Sequence, residues 1–281
     1  MDATQLALHA EMEETHWWFL GRREILRTVL RRLVPPGGQH LVVDVGCGTG
    51  GNVGALAPEY RTVGIDTSRY AIELAEQRYP AVRFWQGELA DLPPEVDASA
   101  DAYLLMDVLE HVPDDFLLLS TLLARCRRGA LVVITVPAHE HLWSAHDEAL
   151  GHFRRYDEAR LAMVWRGLPV RVRLLSYFCA RLYPVVRLAR WTSRQSGRSM
   201  GRHGTDLRVP PAPVNRLLAW LFRGEAGVIT GLLEGRRSAG YRTGSSLLAV
   251  LEVEEEGISP RTKVGGAAPD RHVPPPVVSH D

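Results

Sequence analysis

The chain has 281 residues, of which 46% are hydrophobic and 23% charged, so it has enough apolar residues to bury a full core. Its length suits one large domain with additions, and no apolar run approaches the roughly 18 residues that a membrane-spanning helix needs. The three cysteines have no paired spacing, which argues against a disulfide framework and against a zinc site.

The formal net charge of zero conceals an uneven distribution. Residues 1–150 carry 12 arginines against 22 acidic residues, a net charge of −10, whereas residues 151–210 carry 13 arginines against 3 acidic residues, a net +10. This cationic middle third can face an anionic acceptor or a membrane surface, or it can pack against the acidic first half.

The N-terminal segment is predicted to be helical over residues 1–33, because its apolar positions recur at three- and four-residue spacing. It lacks the basic start and apolar core of a signal peptide, so we expect a cytoplasmic location. Trp17 and Trp18 are adjacent and point in different directions on a helix, so at most one of them can sit fully in the core.

A glycine-rich turn follows the first apolar run. Leu41–Val45 has the composition of a strand in a parallel sheet that is covered on both faces. The glycines after it predict a tight turn whose backbone N–H groups approach a ligand at the start of a helix. Gly46, Gly48 and Gly51 also match the dinucleotide fingerprint G-x-G-x-x-G, although an isolated match is weak.

Asp44 and Gly50 extend this turn to D-x-G-x-G-x-G, and with that run the sequence resembles the class I S-adenosylmethionine-dependent methyltransferases. Two later runs, Asp107–His111 and Leu142–Tyr156, resemble small-molecule and glycan-modifying members of this family. The resemblance implies an α/β fold: a Rossmann-like seven-stranded sheet with an antiparallel last strand, helices on both faces and a helical N-terminal lid. It implies S-adenosyl-L-methionine as the cofactor and S-adenosyl-L-homocysteine as the product. The implied cofactor residues in the turn are Asp44, Gly46, Cys47, Gly48 and Gly50.

The same resemblance makes the N-terminal segment, residues 1–34, a candidate lid over the cofactor pocket. Trp17, Trp18 and Arg22 are then the residues expected to cover the site. The alternative is an ordinary amphipathic helix that packs on the domain.

The second strand, Arg61–Asp66, ends on a carboxylate 22 positions after Asp44. That spacing fits the acidic residue that binds the cofactor ribose, so we expect Asp66, with Thr67 beside it, to bind the ribose hydroxyls. A carboxylate at a strand end can instead cap the following helix.

The third and fourth strands each end near further candidate residues. By the resemblance, Gly87, Glu88 and Leu89 are the positions that meet the adenine, although the family usually has aspartate where Glu88 stands. The run Asp107-Val-Leu-Glu-His111 resembles a D-x-L-E-H segment of small-molecule members. Because ligands bind at the carboxyl ends of parallel strands, we predict that Asp107 contacts the cofactor and that His111 is a catalytic candidate.

Residues 137–156 are predicted to form an acceptor loop that holds four of the eleven histidines. His146, Asp147 and His152 are candidates for a base, and Trp143 for an apolar wall. Arg155 and Tyr156 are acceptor candidates that can instead hold the loop in place. The spacing of His139, His141 and His146 lacks a carboxylate or cysteine partner pattern, so no metal is predicted.

The basic middle of the chain, residues 177–244, is predicted to be a helical insertion in a methyltransferase domain that spans residues 35–256. Its first part, 177–198, is amphipathic and can contact an anionic membrane, or it can pack with an arginine-rich outer face. Residues 245–253 are predicted to be the last strand, and residues 257–281 a disordered tail.

The predicted activity is methyl transfer from S-adenosylmethionine to a small-molecule, glycan or lipid-linked acceptor, with oxygen as the favoured acceptor atom and nitrogen or carbon left open. One rival is a nicotinamide-dependent oxidoreductase, which the shared glycines allow. Another is a non-catalytic protein that binds S-adenosylmethionine. Nucleic acid is not expected as a partner, because the basic residues form no recognition motif. The sequence does not indicate an oligomeric state.

Overall fold

Seven short apolar runs pair into one sheet. The computed structural model describes residues 3–196, 201 and 205–255, and the predicted disordered tail lies outside them. The strand order is β3-β2-β1-β4-β5-β7-β6; β1 to β5 run parallel, and β7 is antiparallel to both β5 and β6. The predicted sheet with an antiparallel last strand is therefore confirmed. The strands are β1 (Leu41–Val45), β2 (Arg61–Asp66), β3 (Arg83–Gln86), β4 (Ala100–Met106), β5 (Leu131–Pro137), β6 (Val170–Phe178) and β7 (Ser246–Val253).

Helices cover both faces of this sheet. Several begin at side chains that accept a hydrogen bond from the first turn, as Ser68, Asp114 and Asp157 do. The helices are α1 (Ala3–Met12), α2 (Trp17–Leu33), α3 (Gly51–Leu56), α4 (Arg69–Arg78), α5 (Pro94–Ser99), α6 (Asp115–Leu123), α7 (Ala145–Leu150), α8 (Glu158–Val164), α9 (Tyr183–Ser196), α10 (Ala212–Arg223) and α11 (Ala226–Leu233).

The alternation of side chains along β1 divides the core into two layers. Leu41, Val43 and Val45 face one layer, which α6 and α8 cover, while Val42 faces the other, which α2, α10 and α11 cover. Burial on both faces explains why β1 reads as a continuous apolar run.

The N-terminal segment is two helices rather than the single helix predicted over residues 1–33. The chain breaks between Met12 and Trp17, and the His16 side chain caps α2 by accepting a hydrogen bond from the N–H of Trp18. The C-terminal half of α2, from Ile25 to Leu30, lies in the core. Only the first turns of α2 are therefore placed to cover a ligand.

Residues 137–178 also differ from the prediction in two places. The acceptor loop contains the short helix α7, which Ser144 caps. The helix predicted from residue 177 begins instead at Tyr183, because Tyr177 and Phe178 extend β6 by pairing with Leu247 and Ser246.

Helix α9 does not present a simple arginine-rich outer face. Arg190 turns inward and pairs with Asp206 at 3.0 Å, its side chain being only 12% exposed. Val185, Leu188 and Trp191 are instead more than half exposed. Within the residues that the structure describes, no helix is both long and apolar enough to cross a membrane.

Candidate active site

A cavity of about 1710 Å³ opens at the carboxyl ends of β1, β2 and β4, where an open parallel sheet places its ligands. Cavities that hold one small ligand usually measure about 300–1,000 Å³, so this one has room for a cofactor and an acceptor together. Its lining includes most of the residues predicted from the sequence: Trp17, Trp18, Arg22, Gly46, Cys47, Gly48, Asp66, Thr67, Gly87, Glu88, Leu89, Asp107, His111, His146, His152 and Arg155.

The glycine turn contributes space rather than the hydrogen-bond donors that the sequence suggested. The N–H groups of Gly46 and Cys47 both donate to the carbonyl oxygen of Ile65, and the N–H of Gly48 donates to the Asp66 carboxylate at 2.9 Å. The neighbouring strand β2 thus uses these donors within the protein. Gly48 has a φ of +53° and nothing within 4 Å of an added Cβ, so a ligand can lie directly against its backbone.

Asp44 and Gly50 lie behind the lining rather than in it. Asp44 is fully buried and accepts a hydrogen bond from the Asn52 amide at 3.2 Å, while its Oδ1 has no partner among the described residues. Burial raises the pKa of Asp44 to about 7. Gly50 adopts a φ of +83° at the start of α3 and packs against Phe84, so its role is in the turn itself.

Asp66 both shapes the turn and borders the cavity. One carboxylate oxygen accepts from Gly48 and the other accepts from the N–H of Ser68 at 2.8 Å. The side chain that caps α4 is Ser68, not Asp66. Each carboxylate oxygen has a second lone pair, so these bonds leave Asp66 able to accept from a ligand hydroxyl.

The chain between α1 and α2 closes over the glycine turn through Glu13, which the sequence had not singled out. The buried Glu13 carboxylate accepts from the Thr49 hydroxyl at 2.9 Å and pairs with Arg78 at 2.5 Å. Its contacts lie 36 and 65 residues away along the chain, so no local motif could reveal them.

Arg22 joins the first turns of α2 to the end of β4. Its guanidinium forms an ion pair with Asp107 and lies 4.5 Å from the centre of a Trp18 ring. Asp107 has a φ of +59°, a left-handed conformation that is uncommon for residues other than glycine and that concentrates at functional sites. Trp18, Arg22 and Asp107 therefore form one contact group, whereas the Trp17 ring packs against Phe222.

The part of the cavity that the predicted acceptor loop lines contains a histidine held by a buried carboxylate. Asp147 accepts from His152 Nδ1 at 3.0 Å and from Arg155 Nε at 3.1 Å, and it is fully buried behind the lining. Burial alone would raise the pKa of Asp147, but the charge of Arg155 and the hydrogen bond from His152 lower it below its usual range. The carboxylate thus fixes the His152 ring with Nε2 directed away from Asp147.

Among the predicted bases, His146 is less suitable than His152. Its Nδ1 accepts the N–H of Asp206 at 2.9 Å, which places the proton of a neutral ring on Nε2 and leaves no lone pair for a substrate. Burial, followed by the charge of Arg190, lowers the pKa of His146 well below its ordinary value.

Glu110 and His111 lie beside His152 at the far end of the short 3-10 helix Leu109–His111. The His111 ring meets the His152 ring edge to face, with 4.6 Å between centroids, and burial lowers the pKa of His111 to about 3. Glu110 is fully buried, and burial, then the Asp107 carboxylate, raises its pKa well above the ordinary value. Glu110 belongs to the D-x-L-E-H segment, from which no role was predicted for it.

Two predicted acceptor residues point elsewhere. Tyr156 is fully buried in the core and donates its hydroxyl to Asp115 at 2.9 Å. Trp143 is outside the cavity lining and donates its indole N–H to Glu148 at 3.4 Å. The contacts of Tyr156 are of the structural kind considered for it, and Trp143 does not border this cavity, so its role as an apolar wall stays a prediction.

The other two histidines of the acceptor loop stack on each other away from the cavity, with ring centroids 4.9 Å apart. His139 stacks on Tyr177 with ring centroids 4.9 Å apart, and His141 shares a hydrogen bond of 2.8 Å with the Tyr183 hydroxyl. Neither residue lines the large cavity.

Comparison with known proteins finds similarity to methyltransferases. A family model described as a methyltransferase domain matches residues 42–129. The chain is 34% identical over 119 residues to a trans-aconitate 2-methyltransferase of Azoarcus sp. (strain BH72), covering 41% of this chain and 46% of that protein. It is also 34% identical over 125 residues to the O-methyltransferase cnsE of Penicillium expansum, covering 42% and 45%. The chain thus spans about half the length of these curated relatives.

The fold is shared with a solved structure over almost the whole chain. A chain from the complex between the Haloferax volcanii Trm112 methyltransferase activator and a protein described as a methyltransferase aligns with a TM-score of 0.55 and 21% identity, covering 90% of this chain and 95% of that one. At this identity the match speaks for the fold alone. The glycine turn, the strand order and these matches together support a class I S-adenosylmethionine-dependent methyltransferase, with the family match confined to residues 42–129.

Proposed function

We propose that this chain transfers the methyl group of S-adenosylmethionine to a hydroxyl oxygen of a small-molecule acceptor, with glycan and lipid-linked acceptors included in that class. The observation that carries the proposal is that one cavity combines a glycine turn beside Asp66 with a histidine held by Asp147. Asp107 lines the same cavity and pairs with Arg22.

The cofactor end of the cavity suits the polar groups of S-adenosylmethionine. We assign the ribose hydroxyls to Asp66, with Thr67 beside it, and the adenine to the segment Gly87–Leu89. The unpaired Oδ1 of Asp44 supports a place for the cofactor ammonium near the turn, because a buried carboxylate oxygen is stabilised by a cation. The bare backbone of Gly48 supports close approach of the methionine chain.

The bound cofactor supplies an electrophilic methyl group, so the protein has to align the acceptor and exclude water. In the transfer, the acceptor oxygen forms a bond to the methyl carbon while the bond between that carbon and sulfur breaks. The hydroxyl proton passes to Nε2 of His152, whose ring Asp147 orients through Nδ1. Trp17, Trp18 and Arg22 border the cavity from the N-terminal segment, and we propose that they limit the entry of water.

Oxygen is favoured over nitrogen because of the histidine. A neutral amine already has a lone pair for attack, whereas a hydroxyl gains most from a neighbouring group that assists loss of its proton. The arrangement of Asp147 and His152 supplies that assistance, typically worth about 10²- to 10⁴-fold in rate.

The test is an acceptor screen with S-adenosylmethionine carrying an isotopically labelled methyl group. We expect label on hydroxylated acceptors and formation of S-adenosylhomocysteine in equal amount. His152→Gln should lower kcat by about 10²- to 10⁴-fold while cofactor affinity is retained, and His141→Gln, outside the cavity, should leave kcat unchanged. Methylation of amines alone, or equal rates in both variants, would contradict the proposal.

Measurements of cofactor binding and of turnover distinguish methyl transfer from two alternative functions. An oxidoreductase would bind a nicotinamide dinucleotide in preference to S-adenosylhomocysteine. A non-catalytic protein would bind S-adenosylhomocysteine yet turn over no acceptor that occupies the cavity.

We also propose that the chain contacts a lipid surface. The contact would use exposed apolar residues of α9 and α10 rather than the arginine-rich face of the predicted helix. Helices α9 and α10 contain arginines and no acidic residue, and each exposes an apolar row with a tryptophan, ending in Trp191 and Trp220. Both helices also border the cavity, which would bring a lipid-linked acceptor close. Sedimentation with anionic vesicles tests this, and Trp191→Ser together with Trp220→Ser should abolish binding.

A further inference from the structure

Three side chains that can bind a metal converge on the acceptor side of the cavity. One ligand atom from each of Glu110, His111 and His152 lies within 4.8 Å of the other two. All three residues line the cavity. This combination differs from His139, His141 and His146, whose spacing predicted no metal site.

The fold holds these residues together by a backbone contact. Glu110 and His111 follow β4, whereas His152 follows α7 some forty residues later. The N–H of Phe153 donates to the carbonyl oxygen of Glu110 at 2.7 Å, which fixes the two segments side by side. The site is therefore built on rigid backbone and does not depend on long, mobile side chains.

Glu110 is the strongest sign that something binds here. It is fully buried, and neither carboxylate oxygen has a hydrogen-bond partner among the described residues. Buried carboxylates without a partner are rare, because the loss of hydration is then uncompensated. Asp107 adds a second carboxylate nearby, and Arg22 and Arg155 balance part of this negative charge.

His152 has the second contact that metal-binding histidines usually have. Its Nδ1 pairs with Asp147 at 3.0 Å, so Nε2 is the atom left to bind an ion. A carboxylate in this position fixes the ring and raises its basicity as a ligand. Arg155 and Arg190 in turn hold Asp147, at 3.1 and 3.5 Å.

We propose that Glu110, His111 and His152 form a site for a divalent transition-metal ion, with zinc as the first candidate. Two imidazole nitrogens and one carboxylate oxygen form a known ligand set for catalytic zinc, in which a fourth position stays open. Ligand atoms around zinc lie roughly 3.3 Å apart for bonds of about 2.0–2.1 Å, and the three ligand atoms here already lie within 4.8 Å of one another.

This inference deepens the proposed function and depends on it for one point, the role of the open position. That position faces the cavity and would bind the acceptor oxygen, easing loss of its proton near neutral pH. With the ion bound, Nε2 of His152 would be one of its ligands instead of the proton acceptor, and the proton of the bound hydroxyl would leave to solvent. Binding of the ion itself does not depend on the reaction.

The experiment uses the full chain, stripped with a chelator and titrated with Zn²⁺ and with Co²⁺. We expect one equivalent of zinc to remain after dialysis, and Co²⁺ to give the visible absorption of a low-coordinate site with nitrogen and oxygen ligands. Glu110→Gln and His152→Ala should each weaken binding at least tenfold, and Asp147→Asn by about 10- to 100-fold. The matched control is His141→Ala, which removes a histidine outside the cluster and should bind as the natural chain does.

Binding of S-adenosylhomocysteine and circular dichroism establish that each variant is folded. No retained equivalent, or equal weakening in the His141→Ala control, would overturn the metal site. Undiminished methyl transfer by the stripped protein would overturn its proposed role while leaving the methyltransferase proposal intact. Retention of the ion with no methyl transfer to any acceptor would instead count against the proposed function and leave the metal site standing.

Discussion

Burial of Asp44 behind the glycine turn makes this carboxyl sensitive to pH in the neutral range. Its pKa is raised from about 3.8 to about 7 in the folded chain because the charged form is desolvated. In the unfolded chain the carboxyl ionises near its ordinary value. The folded state therefore binds more protons at Asp44 between about pH 4 and 7, and the chain loses stability as pH rises through that window.

Asp44→Asn should remove this dependence. We expect the unfolding free energy of the variant, relative to the natural chain, to increase from pH 5 to pH 8 by at most about 1.4 kcal/mol per pH unit up to pH 7. At pH 8 the variant should also bind S-adenosylhomocysteine more weakly, because the carboxylate near the ammonium is lost. Urea unfolding without ligand at both pH values measures the first effect. A stability difference that does not change with pH would show that Asp44 is not protonated in the folded chain.

Single residues divide into those that a motif can reveal and those that it cannot. Gly46, Gly48 and Asp66 were found from spacing, because one strand-helix-strand unit returns the chain beside its start. Glu13 was missed because its partners Thr49 and Arg78 are distant in sequence. The difference between His146 and His152 was also beyond the sequence, since it depends on which ring nitrogen has a partner.

At the scale of elements, the contact between α2 and α10 depends on a missing side chain. A Cβ on Gly21 would overlap the ring and Cβ of Phe222, so the two helices approach closely only because residue 21 is glycine. Phe222 is fully buried in the same core layer as the C-terminal half of α2. The position of Trp17 and Trp18 over the cavity thus depends on this packing.

Gly21→Ala should lower the unfolding free energy by about 1–3 kcal/mol, because overpacking outweighs the gain in helix propensity. Thermal or urea unfolding measures the change. The matched control is Gly227→Ala in α11, where an added Cβ has nothing within 4 Å, and it should stabilise the chain by about 0.5–1 kcal/mol. If both variants are stabilised to the same extent, the close helix contact does not exist in solution.

Helix orientation was predicted less well than helix position. The periodicity of α9 located an amphipathic helix, but not which side would pack. Arg190 turns inward because it finds Asp206 and the buried Asp147, two partners from different segments. Leu188 and Trp191 are consequently left exposed.

At the scale of the whole molecule, buried histidines lower the stability of the folded chain in acid. Burial lowers the pKa of His9 and of His16 to about 4 in the folded chain, and the charge of Arg22 adds to the effect at His9. In the unfolded chain both rings take up a proton near pH 6.5. The unfolded state therefore binds more protons between about pH 6.5 and 4, and the folded chain is destabilised as pH falls through this range.

We expect the unfolding midpoint in urea to fall from pH 7 to pH 4.5, and His16→Asn to reduce the slope. Asparagine can still cap α2, so the variant removes the titrating group while keeping the cap. His16→Ala should lose the cap as well and be destabilised at every pH, by about 0.5–2 kcal/mol. A slope unchanged in His16→Asn would assign the acid sensitivity to other groups.

The sheet as a whole followed from the sequence more closely than any other feature. Short apolar runs such as β1 and β5 allow little choice, because they are buried on both faces. The ends of β6 and the break between α1 and α2 were not predicted. The first depend on pairing with β7, and the second depends on the capping of α2 by His16.

The most direct test of the account is calorimetric titration of the chain with S-adenosylhomocysteine, with two glycine variants beside it. Gly48 and Gly129 both have positive φ and open space for a Cβ, but only Gly48 borders the cavity. Alanine should strain the backbone by about 1–2 kcal/mol at either position. We predict one bound ligand per chain for the natural protein and for Gly129→Ala, and at least tenfold weaker binding for Gly48→Ala. No binding by the natural protein, or equal affinity in Gly48→Ala, would contradict the cofactor site.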